Sequence, residues 1–296
     1  MNHPWQAARI NRRTGLFAGL GVLLSGCSAT GALNALVARD SNRGQDGIAY
    51  GPDLRQKLDV FKPVGEVTAA PIVVFFYGGN WTRGSRTDYR FVGDALAAHG
   101  VIAVVADYRL SPQVRWQQIL TDCAAAVKWS FDNAFALGGD PRKVYLMGHS
   151  AGAYNAAMLA LDARWLRAVG LRPQQLAGFI GLAGPYDFLP IDNAKAQVAF
   201  NWPDTPADSQ PLFHASAAAP RTLLLVAEGD RTVRPERNSA QLAQKLRAAG
   251  VEVTFKRYDA FGANHVTLVG ALAGPLRWLA PVREDVLAFL QLPGSS

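Results

Sequence analysis

Five residues, Gly148-His149-Ser150-Ala151-Gly152, constrain this chain more than any others. They follow a short apolar run, Lys143-Val144-Tyr145-Leu146-Met147, and lead into the helix-like stretch Ala153-Tyr154-Asn155-Ala156-Ala157-Met158-Leu159-Ala160. A G-x-S-x-G pattern set between strand and helix is a nucleophile elbow, a sharp turn that exposes a serine hydroxyl at the top of a sheet. A serine held in so strained a turn needs neighbours without bulk where chain segments press together, hence the glycines. The hydroxyl then stands at the start of a helix, where backbone N–H groups favour developing negative charge.

The rest of the chain alternates strand and helix signals. Apolar runs occur at Pro71–Phe76, Val101–Ala106, Val144–Met147, Phe179–Leu182, Thr222–Ala227 and Val251–Tyr258. Helical periodicity occurs at Asp88–His99, Trp116–Asn133, Ala151–Leu161 and Pro235–Ala249, with Glu284–Leu290 closing the chain. Several runs are apolar on both faces, which suits strands buried between helix layers, and helical crossovers imply a mostly parallel central sheet flanked by helices on both faces. Lys57-Leu58-Asp59-Val60-Phe61 alternates and stops before Pro63, as an edge strand would. With 296 residues, 49% of them apolar and 18% charged, there is room for one sizeable α/β core but hardly for two. The domain is expected over residues 48–296. Residues 184–220, rich in Pro, Ala and Asp, read as a lid or binding loop, or alternatively as a partly helical surface excursion.

The first 26 residues read as an export signal. Arg9, Arg12 and Arg13 precede a short apolar run from Leu16 to Leu24, far below the ~20 residues that span a bilayer. Leu24-Ser25-Gly26-Cys27 resembles a bacterial lipobox, which implies a lipidated Cys27, membrane anchorage in the cell envelope and, with Ser28 in place of aspartate, the outer membrane. The paired Arg12-Arg13 loosely resembles a twin-arginine signal. An ordinary signal peptide with an incidental cysteine is the alternative. Residues 27–47 are small and polar, a tether composition. The formal charge of +7 falls to 27 bases against 23 acids once the three signal arginines are set aside, and no basic cluster remains. Nucleic acid is therefore not an expected partner. Cys123 has no second cysteine to pair with if Cys27 carries lipid, and it shares a stripe with Trp116, Ile119, Leu120 and Val127, as a buried apolar residue does.

A serine hydroxyl needs a base and an acid to orient that base. Of the five histidines, His265 lies in a glycine-containing loop after the last strand, and the chain order nucleophile, acid, histidine selects it. Asp230 follows the strand Thr222–Ala227 across Gly229 and is the expected acid, with Glu228 and Asp259 as the other carboxylates available. Phe75-Phe76-Tyr77-Gly78-Gly79-Asn80-Trp81 ends a central strand in a glycine pair that lets the main chain approach a bound carbonyl. The N–H of Ala151, directly after the serine, supplies a further donor. Trp81, Tyr186, Phe188 and Trp202 are candidates to line an apolar substrate pocket.

These motifs resemble the α/β-hydrolase superfamily, in the carboxylesterase branch related to hormone-sensitive lipase and bacterial feruloyl-esterase-like proteins. The matching pieces are Tyr50-Gly51 with Gln56–Phe61, then Tyr77–Trp81, Asp107–Pro112 and Gly148–Gly152. The resemblance covers roughly Ile48 to Leu290. It implies a serine hydrolase of carboxylic esters with Ser150 as nucleophile, Asp230 as acid and His265 as base. Gly79, Asn80 and Ala151 are then the oxyanion donors, and the partner is a small-molecule ester. No metal or organic cofactor is implied. Tyr77 departs from the usual histidine of the H-G-G motif, and Asn80 from a glycine or aromatic residue. Asp107–Pro112 is expected to be structural, a strand end with a buried charge pair. The Gly78-Gly79-Asn80-Trp81 turn and the His149-Ser150-Ala151-Gly152 elbow are also similar to those of aryl-formamidases, so amide hydrolysis is the second reading. A silent binding lipoprotein is a third. The oligomeric state has no signature in the sequence.

Overall fold

The computed structural model describes Gly31, Leu33, Asn34 and residues 44–291. The export segment, Cys27 and most of the expected tether lie outside the described residues.

Among the described residues eight strands form a single sheet: β1 (Gln45–Ala49), β2 (Lys57–Phe61), β3 (Ala70–Phe76), β4 (Ile102–Ala106), β5 (Gly139–His149), β6 (Gly178–Leu182), β7 (Thr222–Ala227) and β8 (Val253–Tyr258). Their spatial order is β1-β2-β4-β3-β5-β6-β7-β8. β1, β2 and β4 pair antiparallel, and every pairing from β4 through β8 is parallel. This is the α/β-hydrolase fold. β3 and β4 are buried along their whole length, which explains their continuous runs of Val, Ile, Ala and Phe. Lys57–Phe61 is not the edge strand its alternation suggested. β1 covers it, and its apolar residues are buried because a helix also packs across it.

Within the stretch of tether composition, Leu33 is buried and packs over Gly270, and the side chain of Asn34 is tied to the domain. Its Nδ2 donates to the Thr87 carbonyl at 2.7 Å and its Oδ1 accepts from Phe91 N–H at 3.0 Å. The latter contact satisfies an N–H at the start of the helix Arg90–Ala97, which has no side-chain cap of its own. The first strand likewise begins at Gln45, ahead of the expected domain start.

After β3 the chain moves outward to β4, then returns to place β5 on the other side of β3. At such a reversal the loops leaving the two strands diverge and open a crevice at their carboxyl ends. Phe76 is the register partner of Gly148, so the turn after β3 and the elbow after β5 stand side by side at that crevice. Among the described residues no helix is long and apolar enough to cross a membrane.

Candidate active site

Ser150 occupies the turn between β5 and the helix Ala151–Leu161, with φ 55° and ψ −123°. A non-glycine residue there is strained and persists only where its surroundings over-determine it. Here they do. The Ser150 N–H donates to the Leu182 carbonyl of β6 at 2.9 Å, and all eleven residues of the helix are buried. The elbow glycines admit no side chain: a Cβ on Gly148 would stand 2.2 Å from the Gly152 oxygen, and one on Gly152 2.0 Å from the Phe76 oxygen.

His265 begins the short helix His265–Gly270 after β8, and Asp230 lies beyond β7. The fold brings both to Ser150. His265 Nε2 is 2.8 Å from Ser150 Oγ, and Nδ1 is 2.7 Å from Asp230 Oδ2. In the neutral imidazole that these partners select, Nδ1–H donates to the carboxylate and Nε2 accepts from the hydroxyl. The other oxygen of Asp230 accepts from Thr232 and Val233 N–H at 2.8 and 3.0 Å. Burial works to raise this carboxyl. The hydrogen bond and charge of His265, with the two main-chain donors, outweigh it and hold Asp230 below the usual carboxylate value. Glu228 is occupied elsewhere, in an exposed ion pair with Arg257. Asp259 makes no hydrogen bond or ion pair with His265, whose ring nitrogens are taken by Ser150 and Asp230. Asn264 caps the helix, its Oδ1 accepting from Val266 and Thr267 N–H.

A residue that sequence reasoning set aside supports the histidine. His149, within the elbow, has its Nε2 2.8 Å from the main-chain oxygen of His265 and its ring 5.1 Å from that histidine's ring. A carbonyl only accepts, so Nε2 carries the proton. Burial, then the neighbouring His265, push this imidazole down to about 3, and it stays neutral. Its buried Nδ1 has no partner among the described residues. No spacing rule marks this contact, because it joins residues 116 positions apart.

The turn after β3 is unusual. Gly79, Asn80 and Trp81 all have positive φ, at 134°, 53° and 59°. A bulky residue such as Trp81 tolerates this only under compulsion, and its ring supplies it. The indole Nε1 donates to buried Asn155 Oδ1 at 3.0 Å, and the ring packs against Tyr154, Phe188 and Phe200. Asn80 and Ala151 line the cavity with Ser150; Gly79 does not. As the first residue of its helix, Ala151 has an N–H with no partner inside the helix.

Tyr77, in place of the familiar histidine, closes a buried polar cluster behind the turn. Its hydroxyl donates to Asp107 Oδ1 at 2.9 Å and accepts from Arg55 at 2.7 Å, while the Tyr108 hydroxyl donates to the Tyr77 carbonyl at 2.7 Å. Asp107 also pairs with Arg86 at 2.6 Å, and Arg109 pairs with fully buried Asp122 at 2.7 Å. Asp107–Pro112 is thus an architectural element that braces the turn.

The cavity at Ser150 has a volume of about 360 Å³. Of the four aromatic candidates, Trp81 and Phe188 line it. Tyr186 does not. It is fully buried beneath the wall, its hydroxyl lies against Gly181 and Gly184, and burial raises that phenol. Trp202 does not line the cavity either and remains 36% exposed. Much of the outer wall comes from residues 185–196, within the long segment after β6, which includes the helix Ala194–Ala199. This wall is anchored. Asn238 Oδ1 accepts from Tyr186 and Asp187 N–H at 2.7 and 3.0 Å, and Gln210 Oε1 accepts from Phe188 N–H at 2.9 Å. Cys123 is buried and unpaired, its thiol pushed up by burial. Among the described residues no group of three or more His, Cys, Asp or Glu is arranged to hold a metal ion.

Residues 58–246 match the BD-FAE family. The chain belongs to this family. It is 28% identical over 258 residues to the isoprenylcysteine alpha-carbonyl methylesterase ICME of Arabidopsis thaliana, covering 80% of this chain and 59% of that protein. It is 26% identical over 233 residues to the kynurenine formamidase of Danio rerio, covering 76% of this chain and 75% of that one. Among solved structures, an inhibited esterase B from Lactobacillus rhamnosis superposes with a TM-score of 0.73 at 20% identity, covering 88% of this chain and 92% of that one. The chain spans about three fifths of the length of the methylesterase it matches.

Proposed function

We propose that this protein is a carboxylesterase that works through an acyl-enzyme on Ser150. The contacts of His265 with Ser150 and Asp230, at 2.8 and 2.7 Å, carry the reading. Ser150 Oγ attacks the ester carbonyl while His265 Nε2 takes its proton, and Asp230 keeps the imidazole oriented and stabilises its charge. The oxyanion falls to the main-chain N–H groups of Gly79, Asn80 and Ala151; each such donor is typically worth about 3 kcal/mol in the transition state. The alcohol leaves with the proton from His265, and water, activated by the same imidazole, releases the acid. The methylesterase and esterase relatives support ester chemistry.

Covalent labelling by a fluorophosphonate, together with turnover of a short-chain aryl acetate, tests the proposal. Ser150→Ala should abolish labelling and lower kcat by about 10⁶-fold. Retained turnover in that variant, or no labelling of the wild type, would refute it. Formamide hydrolysis on the same three residues is the second reading, supported by the likeness to a kynurenine formamidase. Turnover of formylated anilines above that of matched acetate esters would establish it.

We also propose that the protein is exported and anchored by lipid on Cys27, most simply in an outer membrane. The Leu24-Ser25-Gly26-Cys27 quartet behind a basic and then apolar segment supports this. Cys27→Ser should release the protein from the membrane fraction; a variant that stays membrane-bound would contradict it.

A further inference from the structure

The cavity at Ser150 has two unlike walls. Trp81, Phe188 and Ile191 give it an apolar interior, whereas the turn after Asp230 sets Arg231 and Arg234 on its rim. Both arginine side chains are exposed, and neither makes an ion pair or hydrogen bond among the described residues. The carboxylates nearby are mostly engaged. Asp187, also on the cavity, faces Arg237 at 3.6 Å, and Glu228 and Glu236 are both held by Arg257. Asp192 is the remaining acid on the lining. Two guanidinium groups therefore stand uncompensated but for one carboxylate. Their backbone is not loose, because Thr232 and Val233 N–H are bonded to Asp230 Oδ1. The same carboxylate thus orients His265 and fixes the turn that presents the arginines.

We propose that Arg231 and Arg234 select esters that carry a carboxylate in addition to the ester bond, with an apolar body lying against Trp81 and Phe188. This rests on the esterase reading and names the substrate class for it. A guanidinium presents a rigid fork of donors that matches a carboxylate in two-point contact, and a charged cleft with apolar walls concentrates an oppositely charged ligand. The rim position leaves the anion free to belong to the acyl or the alcohol half.

Two matched pairs of substrates separate these halves. They are 4-nitrophenyl hydrogen adipate against its methyl ester, and 4-acetoxybenzoate against its methyl ester. The quantity read is the ratio of kcat/KM for the anionic over the neutral member, compared between wild type and the double variant Arg231→Gln/Arg234→Gln. This comparison cancels the intrinsic reactivity of each ester. In at least one pair the ratio should fall by about tenfold in the variant. The wild-type ratio should fall similarly at about 0.5 M sodium chloride, which screens exposed charges. An unchanged ratio in both pairs, with esters still hydrolysed, overturns this proposal and leaves the esterase reading intact. Calorimetric titration of the same esters into Ser150→Ala protein reads the arginines without turnover. Tighter binding of the anionic member, lost when both arginines are replaced, supports the site even if the wild type hydrolyses no ester. Equal binding of both members in that case overturns it.

Discussion

Ser150 and His265 meet at 2.8 Å, yet they arrive from regions built in opposite ways. Ser150 comes from the middle of the sheet, between a strand flanked on both sides and a helix with every residue buried. Its strained turn is enforced by packing: glycines with no room for a Cβ and a main-chain bond to the next strand. His265 comes from beyond the edge strand β8, on a loop where Phe261 is 96% exposed. The loop ahead of the helix is exposed from residue 259 to 262, although Leu268 and Val269 further on are buried. At His265 itself the contacts are discrete polar ones: Asn264 capping the helix, Asp230 on Nδ1, and His149 on the main-chain oxygen. If Ser150 is the nucleophile and His265 the base, as proposed, the one set by packing should fail by unfolding and the one set by hydrogen bonds by misplacement. Each kind of failure has a measurable signature.

After removal of Ser150 itself, the largest effect belongs to the loop side. Asp230→Asn should leave folding nearly intact and lower kcat by about 10⁴-fold, equivalent to about 5 kcal/mol, because an amide no longer selects the Nδ1–H tautomer. Steady-state kinetics showing a loss under tenfold would mean that the base is held by something else. On the packed side, Gly152→Ala forces a Cβ against the Phe76 carbonyl and should cost about 3 kcal/mol in urea unfolding. Gly274, which has no atom within 4 Å of a would-be Cβ and lies beyond the histidine loop, should accept Ala within about 0.5 kcal/mol. Equal costs at the two positions would erase the contrast.

His149 joins the two regions, and pH exposes it. Its imidazole is held neutral in the fold with its value pushed down to about 3, whereas an unfolded histidine titrates near 6.5. Between those limits the unfolded chain binds the extra proton, so stability must fall as pH falls. The slope contributed by this one group is at most about 1.4 kcal/mol per pH unit below about 6.5. Asp230, whose value is lowered from that of an ordinary carboxylate, adds its own loss only further down, as pH falls below about 4. Unfolding free energies of wild type and His149→Gln, measured from pH 7 to 4.5, should diverge in slope by that amount. Parallel curves would show that His149 already takes a proton in the folded protein. On the histidine loop, Asn264→Ala removes the cap and should cost about 1 kcal/mol. A cost matching that of Gly152→Ala would show that the outer loop, too, is fixed by packing.

Much of the fold could be read in advance because its signals are local. β3, β4 and β7 are continuous apolar runs, and such runs separated by periodic helices leave little choice but a parallel sheet. Antiparallel β1 escaped notice because Gln45-Asp46-Gly47-Ile48-Ala49 has little apolar character and is stabilised by pairing with β2. The pocket was only half legible. Trp81 and Phe188 reach the cavity while Tyr186 turns beneath its wall, although Tyr186 and Phe188 lie two residues apart in one irregular segment. A segment without periodicity carries no record of which side faces inward. That is decided by partners elsewhere, here Asn238 and Gln210.

The chain itself determined the elbow, the alternation that builds the sheet, and the order in which serine, carboxylate and imidazole follow one another. These depend on steric limits and hydrophobic periodicity, which act over a few neighbouring residues. Only the tertiary structure decided that His149 holds the main chain of His265, that Tyr77 locks the turn through Asp107, and that two arginines stand at the cavity mouth with no ion-pair partner among the described residues. Those arrangements depend on hydrogen bonds and ion pairs between distant segments, whose partners exist only once the sheet has brought its carboxyl ends together.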